Sequence, residues 1–137
     1  MSQDARFMCG LALVLVPTIV YGGLTMLGVL SGGAYGMPAP TGLSPLQVSL
    51  YRAGHAHAGV LSLLGIALQI LIDYSSLSPS VVWPARIGAF VAPLLVAGGF
   101  FGAAHLPALR VLLYFGATTV IATTLAVGIG LLRAPGR

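Results

Sequence analysis

PLQVSLYRAGHAHAGVLSLLGIALQILI, residues Pro45–Ile72, carries a single formal charge, Arg52. A helix needs about 20 mostly apolar residues to cross the ~30 Å hydrocarbon core of a bilayer, and this stretch exceeds that length. Ser44-Pro45-Leu46-Gln47 reads as its start, with a serine cap, proline at the first helical position and the glutamine of a capping box. Phe7–Leu30, Pro79–Ala104 and Pro107–Leu132 meet the same criterion. Ser78-Pro79 repeats the cap-and-proline pattern, and Leu106-Pro107 starts the fourth span after a very short turn. The expected fold is an all-α, integral membrane four-helix bundle, a single transmembrane domain over 1–137. The third and fourth helices should form a tight antiparallel hairpin.

The composition agrees. The 137 residues are 58% hydrophobic and 6% charged, whereas soluble domains carry about 25% charged residues. Disordered chains are apolar-poor and charge-rich, so disorder is excluded too. The net charge of +4 comes from six arginines scattered singly, which form no basic stripe for nucleic acid. The apolar run of Phe7–Leu30 is longer than the 7–15 residues of a signal-peptide core, so it reads as a retained helix. Four spans put both termini on one side, with Arg6, Arg86, Arg133 and Arg137 there and Arg52 and Arg110 toward the other. That excess predicts cytoplasmic termini in a bacterial-type inner or plasma membrane. The loop SGGAYGMPAPTGLS, residues 31–44, reads as an irregular connector. Cys9, the only cysteine, reads as packing.

An ionisable side chain within a span is costly and marks a functional site by default. Arg52, His55 and His57 fall within six residues near the middle of the second span. Residues two apart on a helix point about 200° from each other, so the two histidines cannot chelate one ion together. His57 shares its face with Ala53, Gly54, Val60 and Leu61; His55 shares its own with Tyr51, Arg52, Ala58 and Gly59. A flat porphyrin needs one axial histidine flanked by small residues, and the GHAHAG run supplies that shape on both faces. A buried arginine with no acidic neighbour invites an anionic ligand. Both aspartates, Asp4 and Asp73, lie at the opposite edge, so Arg52 is expected near haem propionates, with Arg110 a second candidate. The competing reading is structural: Gly54 and Ala58 form a small-xxx-small pair, and buried histidines can bond between helices. Gly98 and Gly102 also suggest close packing, Pro17 and Pro93 should free the carbonyls of Leu13 and Ala89, and the threonines of the fourth span suggest bonding between helices.

Four short spans and Ala56-His57-Ala58-Gly59 in the second helix resemble the styrene oxide isomerases and hydroxylaminobenzene mutases. The resemblance covers the whole chain through its four-span layout, and its motif is short. It implies a homotrimer with haem b between protomers, His57 as axial iron ligand, and ferric iron acting as a Lewis acid on a small hydrophobic epoxide to give an aldehyde. The family's asparagine six positions beyond the ligand is Leu63 here, with Ser62 the nearest polar substitute and so the candidate catalytic partner of His57. Where the family carries a helix-3 tyrosine, this chain has Phe100 and Phe101. The cofactor site is expected to comprise His57, Arg52, Ala53, Gly54, His55, Gly59 and Arg110. Two alternatives stay open: a haem-carrying electron-transfer or accessory subunit, and a cofactor-free structural or transport bundle.

Overall fold

The computed structural model describes residues 1–36 and 41–135. Four long helices account for nearly all of them: α1 (Gln3–Ser31), α2 (Pro45–Ile72), α3 (Pro79–Ala103) and α4 (Val111–Arg133), with a 3₁₀ turn at Pro107–Arg110 before α4. All four are long and apolar enough to cross a membrane, so the chain is an integral membrane protein.

Local chemistry sets the boundaries. The capping box at α2 forms as read: Gln47 N–H donates to Ser44 Oγ at 3.2 Å and Ser44 N–H to Gln47 Oε1 at 2.9 Å. The same glutamine donates through Nε2 to Ala104 O at 3.0 Å, tying the start of α2 to the end of α3. Ser78 differs. Its hydroxyl pairs with Ser80 Oγ at 3.0 Å and makes no cap bond, so proline alone marks the start of α3. α1 begins at Gln3 rather than Phe7, because Ser2 Oγ accepts from Ala5 N–H at 3.1 Å and adds a polar first turn ahead of the apolar run. It ends at Gly32, whose φ of 61° places it in the left-handed region that glycine enters without a Cβ penalty. The connector reading of 31–44 falls partly on residues 37–40, and Arg137 of the terminal charge count also lies outside the described residues.

α3 is the spine of the bundle: α2 and α4 pack along it, while α1 lies on α2 and barely touches α3. A core of Leu68, Ile72, Ala85, Ala89 and Val127 joins α2, α3 and α4. The approach of α2 to α3 depends on Gly65, where a Cβ would come within 2.5 Å of Ala89 O. Pro93 lacks the N–H that would otherwise bond that carbonyl, so Ala89 O faces α2 instead. The paired glycines of α3 divide: Gly102 packs against Leu109 of the 3₁₀ turn, whereas Gly98 faces open space. Two of the α4 threonines bond within their own helix, Thr119 to Phe115 O and Thr124 to Val120 O, each at 2.7 Å. Thr123 is buried against Gly88 of α3, so for these residues local bonds and packing replace the expected bonding between helices.

Candidate functional site

The two histidines of α2 face opposite ways, as their spacing dictates. The His57 ring lines a groove of about 300 Å³ shared with Leu61, Val96, Phe100, Leu113 and Val120, so α2, α3 and α4 form its walls. Every other lining side chain is apolar. Phe100 holds the imidazole from one side, with ring centroids 4.9 Å apart and planes at 35°. His57 Nδ1 lies 2.8 Å from Ala53 O, one turn earlier. A carbonyl oxygen only accepts, so Nδ1 carries a proton, and in the neutral ring the lone pair is then on Nε2. That is how a metal-ligating histidine is usually oriented, with a backbone carbonyl fixing the tautomer. The side chain is exposed on the surface of the single chain.

His55 turns toward α1. A Cβ at Gly23 would lie 3.3 Å from its Nε2, and one at Gly22 3.7 Å from its Nδ1. It lines a separate crevice of about 250 Å³ between α1, α2 and α3. Ser62 stands in this crevice with His55, not in the groove with His57. The expected pairing of His57 with Ser62 is therefore corrected: five residues along a helix turn through about 500°, which sends the two side chains to different sides.

The other expected cofactor residues divide in the same way. Ala53 supplies the carbonyl that orients His57. Gly54 is buried against Phe100 and Phe101, each within 3.2 Å of where its Cβ would sit, so its role is close packing of α2 on α3. Gly59 faces open space. Arg52 was expected to be buried; it is exposed on the chain surface instead, as is Arg110 at the end of the 3₁₀ turn. Neither has a carboxylate partner among the described residues. His105, near the same end of the bundle, is engaged by Tyr51, whose hydroxyl lies 2.8 Å from its Nε2.

The buried arginine is Arg86, 2% exposed, and it does have an acidic partner. Its Nη2 lies 2.5 Å from Asp73 Oδ1 and donates also to Ser2 Oγ at 3.1 Å. Nη1 donates to Gln69 O at 3.0 Å, and Gln69 Nε2 returns a bond to Arg86 O at 2.8 Å. Asp73 accepts from Ser2 N–H at 2.5 Å and from Ser2 Oγ at 2.7 Å. Burial alone would raise the Asp73 carboxyl, but the Ser2 bonds and the Arg86 guanidinium outweigh it and hold the group below its ordinary value. Sequence reading placed Asp73 and Arg86 at this edge without joining them. The available signal was a lone acid and a lone base either side of one short turn.

No three His, Cys, Asp or Glu side chains converge among the described residues, so side chains alone do not cage a bare ion there. A single histidine suffices where the metal brings its own macrocycle. Comparisons with protein-family models, with curated proteins and with solved structures find no match for this chain.

Proposed function

We propose that this chain is a haem b protein of the membrane, with His57 as the axial ligand and the cofactor seated between protomers of a homo-oligomer, a trimer by the resemblance. The observation that carries the reading is the His57–Ala53 hydrogen bond, which leaves Nε2 as a lone-pair donor on an outward-facing apolar surface. The groove is open on the outer surface of the bundle, where His57 is exposed, so a second protomer would complete the pocket. Arg52 and Arg110 are the cations available to propionates, both toward the end of the bundle away from Asp73.

When bound, ferric haem supplies a Lewis acid at which a small hydrophobic epoxide can open to an aldehyde without net redox change. The chain's own residues do the rest. Ala53 holds the proton on Nδ1, Phe100 fixes the imidazole plane, and Leu61, Val96, Leu113 and Val120 exclude water. The resemblance implies a substrate-orienting tyrosine in helix 3, where this chain offers Phe100 and Phe101, so substrate would be held here by shape rather than by a hydroxyl. Arg6, Arg86 and Arg133 at the end that carries Ser2 and the close of α4, against Arg52 and Arg110 toward the other, favour cytoplasmic termini.

Protein purified from haem-sufficient cells should show a Soret band that His57→Ala removes and His55→Ala retains. A colourless wild-type preparation overturns the reading. A low-spin, six-coordinate spectrum without epoxide isomerisation keeps the haem but moves the function to electron transfer.

A further inference from the structure

The crevice on the other face of α2 holds two polar side chains without partners. Neither the His55 imidazole nor the Ser62 hydroxyl makes a hydrogen bond among the described residues, and both line the same cavity of about 250 Å³. Its remaining walls are almost wholly apolar, with Gly22, Ala97 and Gly98 giving it width; the third polar side chain, Thr18, is already bonded to Leu15 O at 2.6 Å. Both residues are half-buried, and polar groups left without partners beside hydrocarbon are costly, so a ligand with matching polar atoms is favoured there.

The spacing says which ligand. Ser62 follows His55 by seven residues, two helical turns, so the two share a face about 10 Å apart along the axis. With side chains projecting alike from backbone positions that far apart, two hydrogen bonds of about 2.8 Å leave room for a ligand whose polar atoms lie on the order of 5 Å apart. That is the span between the para oxygens of one six-membered ring. A neutral imidazole and a hydroxyl can each donate or accept, so they suit both the carbonyls of a quinone and the hydroxyls of its quinol. α1 and α3 both wall the crevice but hardly touch each other, which leaves a path between them for a hydrocarbon tail toward the bilayer.

We infer that this crevice binds the head group of a membrane-soluble 1,4-quinone, held between His55 and Ser62. The inference does not rest on the haem reading, because His57 lies on the opposite face. The test is thermal unfolding of the full chain in detergent, titrated with decylubiquinone and, in parallel, with decylbenzene, which has the ring and tail but no carbonyls. Wild type and His57→Ala should show a saturable rise in Tm with decylubiquinone and none with decylbenzene. His55→Leu and Ser62→Ala should each weaken apparent affinity about tenfold, the value of one hydrogen bond. Gly98→Leu should abolish binding while keeping helical content, because a Cβ there meets no atom within 4 Å and its side chain fills the crevice. No saturable shift, an equal shift with decylbenzene, or undiminished binding in Gly98→Leu overturns the inference. A colourless protein that still binds the quinone sinks only the haem reading.

Discussion

Replacing Arg86 with leucine should release the start of α1, and Cys9 can report the release. Arg86 Nη2 bonds Ser2 Oγ directly and also steadies Asp73, which accepts two further bonds from Ser2. A hydrogen bond with a charged partner contributes about 1.5–3 kcal/mol. Loss of the direct bond, with Asp73 left uncompensated, should lower the opening free energy of the first turns of α1 by about 2 kcal/mol. That makes the open state about 30-fold more populated. Cys9 is the only cysteine and is 7% exposed, so a maleimide should label it in proportion to local opening. The expected result is labelling about 30-fold faster well below the unfolding temperature. Removing one partner of a buried ion pair also costs about 3–5 kcal/mol globally, while removing both recovers much of that. The double variant Arg86→Leu/Asp73→Leu should therefore regain Tm but keep fast labelling, since Ser2 still has nothing to hold. Unchanged labelling in Arg86→Leu would refute the reasoning. So would labelling that recovers in step with Tm, because Cys9 would then report global unfolding alone.

Gly65→Ala should cost about 1–3 kcal/mol by forcing α2 from α3, since its Cβ would meet Ala89 O at 2.5 Å. Gly59→Ala meets nothing and should be neutral or slightly stabilising; thermal unfolding in detergent compares the two, and equal Tm values would contradict the packing argument. The Asp73 carboxyl is held below its ordinary value in the folded state. Its contribution is thus complete above the unfolded value of about 3.9 and disappears as pH falls through the lower folded value. Wild-type Tm should therefore drop in strongly acidic buffer, and Asp73→Asn should flatten that drop. Tyr51→Phe removes the 2.8 Å contact with His105 and should lower stability by about 1 kcal/mol, measurable as a reduced unfolding midpoint with the groove and crevice unaltered.

The spans were legible because bilayer thickness leaves few ways to place long apolar runs, and the α2 cap was legible because its chemistry is local. The divergence of His55 and His57 followed from a spacing of two. Arg86 was harder: its burial depends on Asp73 thirteen residues back and on Ser2 at the far end of another helix, and neither contact leaves a periodic trace. Arg52 shows the converse. Its place within a span suggested burial, but a single bundle this slender leaves much of each helix on its outer surface. Ser62 could have been assigned to the His55 face by counting seven residues, whereas distance along the chain from His57 pointed to the wrong side.

The buried residues of α1 are Ala5, Met8 and Cys9 near its start and Met26 and Gly28 near its end, with none between. The helix is thus a beam supported at both ends, and Pro17, which takes one hydrogen bond out of its ladder, is the soft point at mid-length. Loads applied at the centre of such a beam bend it there and leave its supports in place. Bending there would widen the crevice walled by Leu15, Thr18 and Ile19 while Ser2 and Gly28 keep their places. Pro17→Ala should stiffen the span and narrow the range of quinones that the proposed site admits.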